Sequence, residues 1–326
     1  MRKLNHVRVE SRGETATIGG GATTIEVTAG LWAVGKQTVT GMCECTSIVA
    51  PMLGGGHGLL QGQYGLAADQ LVSARLVLAN GTVVVASNTS HPDLFWALRG
   101  AGHNFGIVTE MQTMIMMVVL YNGPPSASRK YTQSFHDLLP LSASTDEVEY
   151  PDHPAAVLSS QKDLACQKLG DSSSALRFPI DLKSYNISAM RSIYEIFDNG
   201  ITNEPQLSTS LMMFEGYSVQ GVQAIPENST AVPFRAERLL LSPTIFFSDT
   251  GGANLQATAL SWSKNIREVL RGGEGETLSY VNYAHGDEGP GAWYGHEHWR
   301  MEKLKTLKEV WDPENKFGGY APIPVD

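Results

Sequence analysis

Short apolar runs at strand spacing, with helical patterns between them, dominate the N-terminal third of the chain. HVRVES and TATIGGG predict a β-hairpin, and TTIEVTAGLWAVG, whose apolar residues follow a helical spacing, predicts a short helix that closes at Gly35. DQLVSARLVLANGTVVVAS predicts two strands joined by a tight turn, because Asn80 and Gly81 both tolerate a positive φ. HPDLFWALRGAG predicts a helix with Pro92 in its first turn, and FGIVTEMQTMIMMVV predicts a strand.

The rest of the chain predicts helices and strands that follow a polar segment. Residues 121–157 are rich in Pro and Ser, which indicates a surface loop or a crossing between domains. YNISAMRSIYEIFDNG predicts an amphipathic helix that ends at Gly200, and LSWSKNIREVLRGG predicts a second helix. QLSTSLMMFEGYSVQ and RLLLSPTIFFSD predict strands. The C-terminal segment predicts a strand from Leu278 to Tyr283 and a helix from Trp299 to Trp311.

Composition and charge argue against two classes of partner. The 326 residues carry a net charge of −9, and no basic face that could bind a nucleic-acid backbone is visible. No apolar run approaches the roughly 18 residues of a membrane span, and the longest, Met114 to Leu120, fits a buried strand. We therefore expect a small-molecule substrate rather than nucleic acid or a membrane as the partner.

Signals for the cellular compartment are weak. No apolar segment follows the basic N-terminus MRKLNHVRVESRG, so we expect no secretory signal in this chain and leave its localisation unassigned. Four Asn-x-Ser/Thr sequons favour a secretory history only slightly; they begin at Asn80, Asn88, Asn186 and Asn228.

The cysteines and histidines predict no metal site. Cys43, Cys45 and Cys166 make an odd count; a bridge between the first two would close a strained ring, and either can pair with Cys166. The spacing of MCEC is too close for zinc. His296 and His298 lie two residues apart without Cys or Asp support nearby.

Three stretches are candidates for binding chemistry. Residues 54–58 read Gly-Gly-Gly-His-Gly, and glycines let backbone N–H groups approach an anion such as a phosphate. The pattern is neither the dinucleotide fingerprint nor a Walker loop, so ligand contact and a tight structural turn both remain open. GAGHNFGIVTE links a helix to a strand. In SYVNY, Tyr280 and Asn282 share a face at strand spacing, either for packing or for a ligand.

In this order, the stretches resemble the berberine bridge enzyme-like flavoproteins of the vanillyl-alcohol-oxidase superfamily, nearest to the fungal members. TATIGGGA, LWAVGKQTVTGMCEC, LGGGHGLLQGQYGLAADQ and PDLFWALRGAGHNFGIVT resemble the FAD-binding domain of that family. FEGYSVQGVQAIPENSTAVPFR resembles part of its substrate domain, and the segment from YVNYAHGDE to GGYAPIP resembles its C-terminal segment. The resemblance implies an α+β fold with a PCMH-type FAD-binding domain.

The resemblance also implies a division of the chain. Residues 1–120 are expected to form the flavin-side, second subdomain of the FAD-binding domain, and residues 121–272 an antiparallel-sheet substrate domain with covering helices. Residues 273–326 are expected to return to the FAD-binding domain.

The implied activity is an FAD-dependent oxidoreduction of secondary metabolism, in which a small organic substrate gives hydride to flavin N5. Cys43 matches the cysteine that bonds flavin C6 in doubly linked members. The residues expected to contact or support the cofactor are Cys43, Ser47, Gly54, Gly55, Gly56, His57, Gly58, Asp69, Gly102, Gly106, Ile107, Val108 and Asn282. The family base usually lies 11 residues before the arginine matching Arg235, where this chain has Ala224. Tyr280 and Tyr283 are therefore the candidates for proton transfer.

Several departures from the family pattern leave the activity open. The Arg-x-Gly-Gly-His loop, whose histidine bonds the flavin 8α carbon, is absent from this chain, and the span from Gly106 to Tyr280 is expected to be several tens of residues short. FAD is thus either held by the remaining loop or lost. An apolar sheet face left open would need a partner or a second copy to cover it. The rival functions are a flavin-free cyclase or pericyclase that uses the old cavity, and an inactive truncated form.

Overall fold

The computed structural model describes residues 1–114, 150–156, 162, 166, 173–248, 252–272 and 276–325. Residues 1–114 contain a five-stranded antiparallel sheet in the order β1-β2-β5-β3-β4. The strands are β1 (Val7–Val9), β2 (Thr15–Gly19), β3 (Leu71–Val77), β4 (Val83–Ser87) and β5 (Ile107–Met114). Both predicted hairpins are present in this sheet.

The turn between β3 and β4 differs in detail from the prediction. The backbone N–H groups of Leu78 and Gly81 donate to the carbonyls of Thr82 and Leu78, each over 2.9 Å. Gly81 has φ of +83°, whereas Asn80 is not in the left-handed region. A three-residue loop of this kind needs a single positive φ, which Gly81 supplies, so the predicted tight hairpin forms without a positive φ at Asn80. The Asn80 side chain instead accepts from the Thr82 N–H over 2.9 Å.

The α-helices of residues 1–114 pack beside this sheet. They are α1 (Thr24–Trp32), α2 (Val49–Leu53), α3 (Gln61–Tyr64) and α4 (Pro92–Ala101). Helix α1 begins where the Thr23 N–H donates to the Glu26 carboxylate over 2.8 Å, and the chain leaves it through Gly35 at φ of +68°. Single 3₁₀ turns follow at Ala67–Gln70 and Gly102–Asn104.

A second antiparallel sheet has β9 (Leu239–Ser248) at its centre. It pairs with β6 (Ser173–Arg177) and β7 (Ile180–Leu182) along one edge and with β8 (Leu211–Gly216) along the other. Helices α6 (Ile187–Asn203) and α8 (Gly252–Arg271) share a buried apolar cluster with this sheet. The predicted antiparallel sheet with covering helices is therefore present.

Helix α6 does not end at Gly200 as the sequence predicts. A Cβ on Gly200 would lie 2.3 Å from the indole of Trp262 in α8, so this glycine allows the two helices to pack closely. Gly200 is therefore required for the contact between α6 and α8, and it does not terminate α6, which ends at Asn203.

The C-terminal segment contains turns and helices where a strand was expected. The predicted strand from Leu278 to Tyr283 is wrong: Leu278 makes one isolated bridge with Asp181, and Val281–Tyr283 form a 3₁₀ turn. Helices α9 (Pro290–Tyr294) and α10 (His298–Trp311) follow, and α10 confirms the predicted helix. Its buried residues join the core of the first sheet, so this segment holds the turn against that sheet.

Parts of the sequence prediction lie outside the described residues. These are most of the predicted strand from Met114 to Leu120, the expected domain boundary near residue 120, and much of the polar segment 121–157. The described part of that segment is helical, with a 3₁₀ turn at Tyr150–Asp152 and helix α5 (His153–Ala156), although a loop was expected. No helix in the described ranges has the length and apolar character needed to cross a bilayer.

Candidate active site

The glycine loop of residues 54–58 leaves α2 in a conformation that its own neighbours impose. Gly55 and Gly56 have φ of +107° and +81°. A Cβ on Gly54 would lie 2.4 Å from the Asn282 side chain, and one on Gly55 would lie 2.7 Å from the Phe234 ring. These contacts account for the glycines by packing within the protein. Contact between the loop and a phosphate or flavin stays a prediction.

The 3₁₀ turn at Val281–Tyr283 braces this loop. The Asn282 side-chain amide donates to the Pro51 carbonyl over 2.9 Å and to the Tyr280 hydroxyl over 2.7 Å. The same hydroxyl accepts from the His57 N–H over 3.4 Å. Burial raises the pKa of Tyr280 above its usual range, so this phenol stays neutral and holds the loop.

The His57 side chain is a neutral imidazole within an aromatic cluster. Its ring stacks on Tyr217 and meets the edge of Tyr280, each at 4.7 Å between centroids. Burial lowers the pKa of His57 to about 4, against a weaker upward effect of its hydrogen bond to Gln61. That hydrogen bond joins His57 Nδ1 to Gln61 Oε1, an amide oxygen that also accepts from the Gly58 N–H. Because an amide oxygen can only accept, Nδ1 carries the proton of the His57 ring. Nε2 is then a buried acceptor without a hydrogen-bond partner in the described structure.

Glu215 on β8 lies at the edge of this cluster, and the sequence reasoning missed it. Burial raises the pKa of the Glu215 carboxyl, and hydrogen bonds from the hydroxyls of Tyr217 and Tyr283 oppose the rise. The hydroxyl of Tyr217 donates a short hydrogen bond to this carboxylate. The sequence held no signal for it, because Glu215 is half-buried while its neighbour Phe214 is exposed, the reverse of what residue types usually show.

Tyr283, the last residue of the turn, lies near Cys43. The Tyr283 ring lies 5.1 Å from that of Tyr280, and the Arg177 guanidinium covers it at 4.7 Å. Burial raises the pKa of Tyr283, with smaller contributions from Glu215, Tyr280 and the nearby Cys43. The Cys43 thiol is half-buried.

The disulfide resolves the pairing that the sequence left open. Cys45 bonds to Cys166, 121 residues away, and Cys43 is outside the bridge. The thiol that the resemblance assigns to the flavin ring is therefore the one that the disulfide leaves reduced.

A second buried carboxyl lies on the same sheet face as Glu215. Asp181 on β7 and Glu215 on β8 both pair with Leu240 of the central strand, so their side chains flank it on one face. Burial raises the pKa of Asp181, and the nearby carboxylates of Glu237 and Glu215 raise it further.

Asp69 lies beneath the glycine loop in a buried ion pair. Its two carboxylate oxygens accept from Arg235 over 2.9 and 3.0 Å, and one also accepts from the Leu66 N–H. The 3₁₀ turn that carries Asp69 bonds to the loop, because the N–H groups of Ala67 and Ala68 donate to the Gly56 and Gly55 carbonyls over 2.9 and 2.8 Å. Contact between Asp69 and a cofactor stays a prediction.

The other predicted residues lie around this cluster rather than in it. The Ser47 hydroxyl accepts from the Val49 N–H, and a Cβ on Gly102 would lie 2.6 Å from the Leu53 side chain. Gly106, Ile107 and Val108 lead into the pairing of β5 with β3; of these, Ile107 is exposed. Their contact with the adenosine end of a cofactor stays a prediction.

The residues present fit the ring end of a flavin in part. A half-buried thiol, two neutral tyrosines and a carboxyl with a raised pKa converge there, which is a set suited to holding a redox ring and moving a proton beside it. The glycine loop is no open cradle, because protein atoms already fill the Cβ positions of Gly54 and Gly55. No group of three or more His, Cys, Asp or Glu side chains among the described residues could hold a metal ion.

Comparison with known proteins identifies the family of this chain. The family model for an FAD binding domain matches residues 1–87, and the model for berberine and berberine-like proteins matches residues 279–324. The FAD-linked oxidoreductase chyH of Penicillium rubens is 36% identical, over 99% of this chain and 76% of that protein. The FAD-linked oxidoreductase chry5 of Gibberella zeae is 35% identical, over 99% and 75%. The chain belongs to the berberine-like family of FAD-linked oxidoreductases.

Solved structures confirm the fold. The xylooligosaccharide oxidase of Myceliophthora thermophila C1 superposes with a TM-score of 0.82 at 19% identity, over 100% of this chain and 81% of that one. A chitooligosaccharide oxidase gives a TM-score of 0.79 at 19% identity, with the same coverage. The predicted α+β fold of the PCMH type is therefore confirmed. The alignments with chyH and chry5 span 385 positions, so these relatives carry internal residues that this chain lacks. That the missing residues fall between Gly106 and Tyr280 stays a prediction.

Proposed function

We propose that the chain oxidises a small organic substrate with a hydroxyl group, in a site bounded by Glu215, the tyrosine cluster and Cys43. FAD, when bound, supplies the acceptor for the substrate hydride at its ring atom N5. Cys43 would hold the ring through its sulfur, and Asn282 would fix the backbone that leads into the glycine loop through its bond to the Pro51 carbonyl. The family membership and the convergence of these residues support the proposal.

The observation that carries it is the Glu215 carboxylate: the Tyr217 hydroxyl donates to one of its oxygens, and the other oxygen is buried without a hydrogen-bond partner in the described structure. Glu215 takes the proton of the substrate hydroxyl, because its raised pKa brings it closer to neutral pH than an exposed carboxylate. Tyr217 and Tyr283 have raised pKa values through burial and stay protonated, and the Tyr217 hydroxyl orients the carboxylate. Ala224, at the exposed end of α7 (Gln220–Gln223), has a methyl side chain and no group for proton transfer.

Rapid mixing of the flavin-loaded protein with a panel of alcohols and sugars, without oxygen, tests this assignment. We expect one compound class to bleach the flavin absorbance. Glu215→Gln should slow the bleaching by about 100-fold or more at an unchanged flavin content, because removing a general base costs about 10²–10⁴ in rate. Tyr217→Phe, which keeps the ring that stacks on His57, should slow it less.

Two results would overturn the proposal. One is an unchanged bleaching rate in Glu215→Gln, which would place the base elsewhere. The other is conversion of a substrate by the protein without flavin reduction or oxygen uptake, which would favour a cyclase.

A further inference from the structure

A surface recess lies on the side of the molecule where α4 and α10 pack against the turn at Glu227–Ser229. Glu227, Asn228 and Trp299 line it, and its volume is about 480 Å³. The backbone of the turn is fixed: the Asn228 carbonyl accepts from the Trp96 indole over 2.9 Å, and the next carbonyl accepts from Arg99 over 2.7 Å. The Asn228 residue itself is exposed at the mouth of the recess.

An aromatic ring, that of Trp299, also lines the recess. Trp299 is 41% exposed, although the centroid of its ring lies 6.2 Å from that of the Trp96 ring. The Arg300 guanidinium lies 4.6 Å from the Trp299 ring centroid. A flat apolar ring beside a carboxylate and an amide is the environment that sugars recognise, because the C–H face of a pyranose packs on the ring while its hydroxyls bond to the polar groups.

The sequence supplies a covalent attachment point for a sugar at this place. Asn228, Ser229 and Thr230 form an Asn-x-Ser/Thr acceptor. Two of the other sequon asparagines make local bonds: Asn80 accepts from the Thr82 N–H, and Asn186 from the Ala189 N–H at the start of α6. Asn88 is exposed, but it does not line this recess. Asn228 therefore combines an acceptor sequence with a recess of sugar-binding character.

The disulfide indicates the kind of cellular compartment, independently of the sequon. Cys45 and Cys166 are joined in the structure, and disulfides persist mainly in oxidising compartments, where N-glycosylation also takes place.

We propose that Asn228 carries an N-linked glycan whose first N-acetylglucosamine packs on the Trp299 ring. In the modification, Asn228 Nδ2 forms a bond to the anomeric carbon of a lipid-diphosphate-linked oligosaccharide. The bond from that carbon to the diphosphate breaks, Nδ2 loses one proton, and the lipid diphosphate leaves. The proposal does not depend on the proposed oxidoreductase function.

The test uses the full chain secreted from a yeast host behind a leader peptide, with occupancy of each sequon read by mass spectrometry of glycopeptides. We expect the peptide with Asn228 to be modified. Under native conditions, an endoglycosidase that cuts between the first two sugars should then release the Asn228 glycan more slowly than a glycan on Asn88. A ring-stacking contact shifts populations by roughly tenfold, so the expected ratio of release rates is about 10.

Variants at Trp299 distinguish the contact of the glycan with the ring from the occupancy of the acceptor sequence. Trp299→Ala should leave Asn228 occupied and bring its release rate to that of Asn88, whereas Trp299→Phe should keep part of the protection. An unmodified Asn228 in protein that is modified at Asn88 would overturn the proposal. Equal release rates at the two sites in the parent chain would also overturn it.

A free sugar, not attached to the protein, is the other ligand that could pack on the Trp299 ring. Unglycosylated Asn228→Gln protein is mixed with chitobiose, and oxidation of the Trp299 indole by N-bromosuccinimide is followed by peptide mass spectrometry. We expect no protection, because the attached sugar is held at high effective concentration and a free one is not. Protection of Trp299 by free chitobiose, together with an unmodified Asn228 in the parent chain, would overturn the attachment.

Discussion

Replacement of Asp69 by Asn is the sharpest test of how the glycine loop is held. The Asp69 carboxylate is 2% exposed and faces an Arg235 side chain that is 6% exposed, with both oxygens engaged. Asp69 also favours the charged form of the nearby Arg99 guanidinium, whose pKa is lowered mainly by burial. Asp69→Asn removes the only negative charge of this ion pair and leaves the buried Arg235 cation without a counter-charge.

We expect Asp69→Asn to cause a large loss of folding free energy. Breaking a buried ion pair by neutralising one partner costs about 3–5 kcal/mol. Unfolding of a chain of this length carries an entropy of roughly 0.7 kcal/mol per degree, so this cost lowers Tm by about 4–7 °C. Thermal unfolding followed by circular dichroism measures the shift. Asp198→Asn, at an exposed position on α6, makes the same chemical change and should move Tm by less than about 1 °C.

An unchanged Tm in Asp69→Asn would refute the supporting role of the ion pair. A loss of bound FAD from Asp69→Asn at an unchanged Tm would also contradict it, because Asp69 would then act on the cofactor and not on the fold. The double variant with Arg235→Met should cost less than the sum of the two single changes, because neither charge is then left alone.

Three further outcomes follow from the structure. Gly55→Ala should lower the unfolding free energy by about 2 kcal/mol or more in urea titrations, because Gly55 has φ of +107° and a Cβ there would lie 2.7 Å from a phenyl ring. Gly81→Ala should cost less, because a Cβ at Gly81 meets open space. Burial raises the pKa of Asp181, so its carboxyl favours folding below the ordinary value of 3.8 and loses that contribution as pH rises. Asp181→Asn should therefore stabilise the protein at about pH 8 and have little effect at about pH 3. Reduction of the Cys45–Cys166 bridge, which spans 121 residues, should lower the unfolding free energy by up to about 5 kcal/mol, measured with and without a thiol reductant.

The sequence predicted the local elements and part of the site. The hairpins, α1, α4 and α10 follow from periodicity and turn residues, which act over a few positions. Cys43 and Tyr283 lie near each other although 240 positions of sequence separate them, and no local pattern could show this proximity. Local patterns could not supply the reason for the glycines of the loop, because Phe234 and Asn282, which fill the space beside them, come from distant segments.

The two acidic residues of the second sheet show the same limit. Glu215 and Asp181 sit in apolar strands, and nothing in their own neighbourhood reveals that both flank Leu240. Strand register is set by tertiary packing, and one residue of slip would turn either carboxyl to the opposite face. The predicted strand at Leu278 to Tyr283 failed for a related reason: the spacing of Tyr280 and Asn282 also suits a 3₁₀ turn that packs on the glycine loop.

The absorption spectrum of the purified protein, before and after acid precipitation, tests the central claim that this chain holds FAD beside Cys43 and Glu215. We predict a yellow protein with flavin bands whose colour stays with the precipitated polypeptide, and a Cys43→Ser variant whose colour moves to the supernatant. A colourless protein that binds no added FAD would contradict it.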